Sequence, residues 1–373
     1  MSRSIFSRFG VGVVIVWLAC SSLVWGGIAS PNYKVLNPIS HGNLTIFPVV
    51  TSITHDTSGF ITLDEGIRSG EVVVTETGRT GGLVRGPHHR IPVSSAQVNN
   101  LVLVNNSKRP LILLAGEIVT GGKQDRVVAK DRVIPAESEP VDLGVFCVEP
   151  GRWTETSVNF GTMKSQMAQP SVRKEAMVAQ DQHRVWNSVG EANGAVAGAI
   201  AGSAGAAPGP PPPPPSSYAK TFDDERVRKA IADQAAPVEQ SYSSTTRQLR
   251  DQHAVGVVVA VGGRLIWADL FASSALLEKY WPKLVRSYAA EAITTQRAFK
   301  PVSLADAQQF LERSEGNRQV IESEPGVYRQ SETIAPNFKL FTLASLLPGT
   351  GFDLHVSKIA DGNAYGPEIG KLE

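Results

Sequence analysis

Val255-Gly256-Val257-Val258-Val259-Ala260-Val261-Gly262-Gly263-Arg264-Leu265-Ile266-Trp267-Ala268 is the stretch on which the fold turns. An apolar, β-branched run meets a two-residue glycine turn and a second apolar run. That pattern predicts an antiparallel hairpin buried at least on one side. Downstream, Leu276, Leu277, Tyr280, Trp281, Leu284, Val285 and Tyr288 recur at helical spacing, so a helix follows the hairpin. Pro282 lies inside that stripe and is expected to kink the helix or start a new one. Ser303-Leu304-Ala305-Asp306 has the form of a helix cap, and Phe338–Ser345 and Phe352–Ile359 read as strands around a Pro348-Gly349 turn.

Upstream, residues 35–160 read as short strands: Val72–Thr75, Gln97–Val104, Ile112–Val119, Arg126–Val133 and Val141–Val148, separated by Gly, Pro, Asn and Ser. Such spacing suits an antiparallel β-sandwich or barrel. The chain is therefore expected to be α+β: a β-sandwich-like N-terminal part packed with a C-terminal α/β part. Its expected divisions are residues 1–29 as a signal peptide, 30–160 as the β-rich domain, 161–190 as a helix, 191–220 as a linker and 221–373 as the C-terminal part. Ser171–Val189 is predicted helical with Gly190 as its stop. Glu191–Ser217 is rich in Gly, Ala and Pro, with Pro210–Pro215 reading as a stiff polyproline rod. Thr221-Phe222-Asp223-Asp224 is expected to begin a further helix.

The first residues read as an export signal. Arg3 and Arg8 precede the apolar run Val11–Cys20, and Gly27-Ile28-Ala29 offers small residues for cleavage before Ser30. A lipoprotein anchored at Cys20 and an uncleaved N-terminal anchor are the alternatives; otherwise nothing is expected to touch a membrane. The mature protein, periplasmic or secreted, keeps only Cys147 and so has no internal disulfide; the apolar run Val145–Val148 around it predicts a buried thiol.

Composition excludes several classes. Lys plus Arg is 36 against 35 for Asp plus Glu in 373 residues, so no basic excess favours nucleic acid. No zinc-protease, Cys-x-x-Cys or calcium-loop motif occurs, and His88-His89 point to opposite faces if on a strand, so neither a metal nor a cofactor is expected. Gly116–Gln124 (GEIVTGGKQ) approaches a phosphate-binding P-loop but carries one residue too many before Lys123. Gln124 also stands where the magnesium-holding hydroxyl belongs, and a strand follows where a helix must begin.

The same residues fit a hairpin better. With Gly121-Gly122 as a two-residue turn, Thr120 pairs with Lys123 and Glu117 forms a cross-strand ion pair with Arg126. Glu117, Lys123, Gln124, Asp125 and Arg126 then crowd one turn. Glu149, Arg152 and Trp153 follow the next strand and could add a guanidinium fork and an aromatic platform. These eight residues are the candidate ligand-binding set. No catalytic residue can be named.

Leu63-Asp64-Glu65-Gly66, Leu113–Glu117, Lys123–Val127, Ile134-Pro135-Ala136 and Val145–Trp153 together resemble the ADP-ribosylglycohydrolase and rhodanese-phosphatase superfamily associated protein domain. Gly262–Leu265 and Trp281–Tyr288 are similar to its C-terminal part, so the resemblance runs from about Val35 to Ile359. The family is named for its genomic company and brings no established catalytic residues. It implies that the polar parts of the pattern, Gly116–Arg126 and Glu149–Trp153, are where a site is to be sought. Three readings stay open: a noncatalytic exported protein that binds a small anionic ligand or a protein partner, a hydrolase of phosphate-ester or ADP-ribose-like substrates, and a surface assembly component using the Pro210–Pro215 rod. In the hydrolase, Glu117 or Asp125 would be the base, Lys123 and Arg126 would hold the anion, and Trp153 would stack a ring.

Overall fold

The computed structural model describes residues 33–77, 99–163, 166–203, 215–295 and 300–361. The export signal, His88-His89 and Pro210–Pro214 lie outside them. The predicted hairpin is present as strands His253–Val261 and Arg264–Phe271, joined by Gly262 and Gly263, both at positive φ. It forms the middle of a nine-stranded sheet. On one side Leu44–Thr51 pairs antiparallel with His253–Val261 and in turn carries Lys34–Val35 and Ile39–His41. On the other side Asp353–Ala360, Phe338–Ser345, Tyr328–Ala335 and Asn317–Glu324 follow in order. The first strands of the N-terminal half thus belong to the same sheet as the last strands of the C-terminal half. The fold class is α+β, as the sequence implies.

Helix Ser274–Thr294 packs on His253–Val261 and against helix Glu225–Thr246, burying the predicted stripe from Leu276 to Tyr288. It runs through Pro282 as one element, because the buried stripe on either side holds a helix that loses one backbone hydrogen bond there. Ser303 caps Leu304–Glu312 reciprocally with Asp306, as its spacing indicates. Two expected helix ends need correction. Gly190 does not stop a helix: Pro170–Lys174 passes into a π-turn, Glu175–Ala179, and a new helix runs from Gln182 to Ser203, its Ala-rich end continuing past Gly190. Thr221 does not cap one: Ser217 caps Tyr218–Asp223, and Asp224 caps Glu225–Thr246.

The second sheet has six strands in the order Gly161–Thr162, Ile118–Thr120, Arg126–Val128, Val141–Cys147, Asn100–Asn105 and Val72–Glu76. Its two ends meet. Thr75 bridges Asn159, and the Phe160 amide donates to the Val74 carbonyl at 2.8 Å, just before Gly161 joins the opposite edge. The ladder therefore closes on itself, which removes its free edges. Val74, Leu101, Leu103, Val119, Val128, Leu143, Val145 and Phe160 share one apolar core.

A small third sheet, Arg132–Ile134, Leu111–Leu113 and Ile61–Thr62, exists because two expected strands are broken. Ile112–Val119 is interrupted over Leu114–Glu117, and Arg126–Val133 over Ala129–Asp131. The interruptions are where the backbone turns to serve buried charges.

Candidate functional site

Two ion-rich regions result, one at the centre and one at a mouth of the closed sheet. At the centre, Asp269 projects from the hairpin into the core with no exposed surface. Arg173 grips it with two parallel bonds, Nη1 to Oδ2 at 2.8 Å and Nη2 to Oδ1 at 3.1 Å, and lies 4.6 Å from the Trp267 ring. Ser357 Oγ and the Tyr288 hydroxyl also donate to Asp269. His355 sits between two carboxylates, Nδ1 2.6 Å from Asp131 and Nε2 3.1 Å from Asp269. Burial alone would raise the Asp269 carboxyl, but the Arg173 guanidinium and His355 hold it far below the usual range. Burial works against the His355 cation too, yet Asp131 and Asp269 push it up to about 9.

The interrupted strand serves this centre. The Ala115 amide donates to Asp131 Oδ1 at 2.7 Å, and the Ala115 carbonyl accepts from Arg173 Nε at 2.9 Å. Gly116 has φ +91°, and a Cβ there would stand 2.7 Å from Arg173 Cδ, so only glycine lets the arginine pass. Next to it Glu117 is buried, accepting from the Leu114 amide at 2.9 Å and from Lys283 Nζ at 2.9 Å. Lys283 also reaches Asp64 at 3.0 Å. Burial disfavours its ammonium, but Glu117 and Asp64 outweigh that and raise its pKa.

Glu117 therefore does not face Arg126. The strands pair Ile118 with Val127 and Val119 with Arg126, so the turn between them is wider than two residues and the expected Glu117–Arg126 ion pair is replaced by Glu117–Lys283. The physical reason is that the Gly121–Lys123 amides are drawn to side chains instead of closing a tight turn. Gly121 N–H donates to Asp125 Oδ1 at 2.9 Å, Gly122 N–H to Ser157 Oγ at 3.1 Å and Lys123 N–H to Glu76 Oε1 at 2.7 Å.

The remaining candidate residues do come together at this mouth. Arg152 is the clamp. Its Nε donates to Glu149 at 2.7 Å, Nη1 to the carbonyls of Gly122 (3.0 Å) and Thr154 (2.8 Å), and Nη2 lies 3.4 Å from Asp125. Gln124 Nε2 donates to the Glu149 carbonyl at 3.2 Å, and the Asp125 amide to Glu149 Oε2 at 3.2 Å. Burial raises the Asp125 carboxyl despite the Gly121 amide and Arg152. In Glu149 burial is overcome by its bonds to Arg152 and the Asp125 amide, and its pKa is lowered. Arg126 is buried beneath, donating to the Asp125 carbonyl at 3.4 Å. Cys147 is buried as expected, and burial pushes its thiol up. What faces solvent is Trp153, 45% exposed, with Lys123 Nζ 4.9 Å from its ring centre, and Val158, 54% exposed on the same loop.

The clefts of about 490 Å³ beside Glu312–Glu315 and Pro336–Phe338, and of about 310 Å³ beside Asn43, Gln234 and Ile293, involve none of these residues. Among the described residues no group of three or more His, Cys, Asp or Glu could hold a metal ion, and no helix is long and apolar enough to cross a membrane.

Sequence reasoning missed Asp131, Arg173, Asp269 and His355. The available signal was Asp269 and His355, ionisable residues within the otherwise largely apolar strands Arg264–Phe271 and Asp353–Ala360, both fully buried.

No curated protein and no solved structure matches the chain. Residues 32–357 match the ARG and Rhodanese-Phosphatase-superfamily-associated Protein domain, in agreement with the span and motifs read from the sequence. With nearly all of the described chain inside that match, the protein belongs to this domain family.

Proposed function

We propose that the chain is an exported, noncatalytic binding protein that takes a small anionic ligand or a protein partner on its Lys123–Trp153 face. Export rests on Arg3, Arg8 and the apolar run Val11–Cys20. The observation that carries the binding reading is the commitment of the site's charges to one another. Glu117 is taken by Lys283, Asp125 by Gly121 and Arg152, and Glu149 by Arg152, so none of these three carboxylates is held free to act as a base. The Arg152 clamp fixes the loop that displays Trp153, and a preorganised exposed indole beside an ammonium is suited to recognition.

A thermal-shift screen of the purified chain against phosphate esters, nucleotides, ADP-ribose, phosphosugars and acidic peptides tests this reading. A ligand at 100 times its dissociation constant adds about 2.7 kcal/mol of stability. The expected hit is lost in Trp153→Ala and Lys123→Ala while both variants stay folded, and it is returned chemically unchanged. Turnover of the hit, or a hit indifferent to both substitutions, overturns the proposal.

A further inference from the structure

The six-stranded sheet closes on itself, whereas the large sheet keeps two unlike edges. At one, Leu44–Thr51 carries the short strands Lys34–Val35 and Ile39–His41. At the other, Asn317–Glu324 runs for eight residues, and among the described residues nothing pairs with its outer side. Such a strand presents a row of unpaired backbone donors and acceptors to any strand that fits it. It holds neither proline nor lysine, and Val320 stands 56% exposed near its middle.

The strand is a match for itself. Its register with Tyr328–Ala335 shifts between Val320 and Glu322, so Ile321 is the extra residue of a bulge. Asn317, Gln319, Glu322 and Glu324 lie opposite Ile334, Glu332, Gln330 and Tyr328, alternate residues of one strand, and therefore share a face. Arg318, Val320 and Ser323 take the other face. Turned antiparallel about Val320, a second copy sets Gln319 against Glu322, Asn317 against Glu324, Arg318 against Ser323 and Val320 against itself. Each amide then meets a carboxylate, and no like charges are opposed. A parallel, in-register copy would set Arg318, Glu322 and Glu324 each against its own kind, which is unfavourable.

We infer that Asn317–Glu324 is a self-association edge, on which a second copy of this chain pairs antiparallel about a two-fold axis at Val320. One strand pair is small beside the roughly 1,200–2,000 Å² of a stable interface, so the dimer is weak and concentration-dependent. The edge shares no residue with the Trp153 face, and either reading can fail without the other.

The test is sedimentation velocity of the purified chain over a concentration series, on wild type, Val320→Lys and the exposed control Ile53→Lys. A monomer–dimer equilibrium is expected, weakened at least about tenfold in Val320→Lys and unchanged in the control. Val320→Cys reports the register. Directly opposed Cβ atoms lie about 4.5–5.5 Å apart, so a disulfide closes across the axis under mild oxidant. Ser323→Cys, which meets Arg318 of the second copy, is expected to stay unlinked. A chain monomeric at every concentration, or a dimer as strong in Val320→Lys as in wild type, overturns the inference. So does linkage of Ser323→Cys as fast as that of Val320→Cys, which would make the contact one of random collision.

Discussion

The centre and the mouth are built from the same residue types and behave as opposites. Around Asp269, Arg173 and His355, every charged group is buried and each is held by at least two partners from distant segments. Around Arg152, Glu149, Thr154 and Thr156 lie within four residues and the other partners, Gly122 and Asp125, come from a single adjacent turn, and the assembly ends in an exposed indole. Dry charges that have partners fix a fold, because losing either partner strands the other. Half-wet charges on a loop fix only the loop, and leave it something to display. The difference between the regions is burial, which a motif does not record.

Breaking the centre is expected to have the largest effect. Asp269→Ala leaves Arg173 and His355 without their shared anion and should cost about 3–5 kcal/mol of unfolding free energy, or prevent folding altogether. Urea melts check this, and a cost under about 1 kcal/mol would place Asp269 among ordinary surface pairs. Gly116→Ala comes next. Its φ of +91° and the 2.7 Å approach of Arg173 Cδ predict a loss of about 2 kcal/mol or more.

The centre also predicts a pH dependence. His355 is raised from 6.5 to about 9 in the folded chain, so it binds its proton more tightly folded than unfolded. The stability it contributes is full below about pH 6.5 and fades as the pH climbs through about 9. Melts across that window should show the decline, and His355→Gln should flatten it. At the mouth the effects shrink. Arg152→Ala should cost about 1–2 kcal/mol and loosen the Trp153 loop, seen as a drop in indole fluorescence anisotropy. Trp153→Ala should move stability by no more than about 0.5 kcal/mol. A Trp153→Ala cost as large as that of Asp269→Ala would erase the distinction between the two regions.

The same contrast separates what the sequence discloses from what it hides. Val255–Ala268, the Ser303 cap and Phe338–Ser345 were legible because local periodicity and turn chemistry decide them. The register at Gly121-Gly122 was not, since it depends on Glu76 and Ser157, which arrive from outside the hairpin. Gln124, Asp125, Glu149 and Arg152 share one hydrogen-bonded network at the mouth, with Arg126 beneath it and Lys123 against Trp153 at its outer side. Glu117 went elsewhere because Lys283, 166 positions away, supplies a buried partner that no spacing rule points to. The first strand broke at Leu114–Glu117 for the same cause: the Leu114 and Ala115 backbone there binds Glu117, Asp131 and Arg173 side chains that no local pattern announces.

The most direct test of the central claim, that the buried charges of the family pattern hold the fold, is a double-mutant cycle on Glu117 and Lys283. Unfolding free energies would be measured for Glu117→Gln, Lys283→Met and the pair together. Lys283→Met is expected to cost about 3–5 kcal/mol by stranding Glu117. Glu117→Gln is expected to cost less, because Asp64 still holds Lys283 at 3.0 Å, and the double variant to cost less than the two single losses added together. Strictly additive costs, or single variants as stable as wild type, would contradict the account.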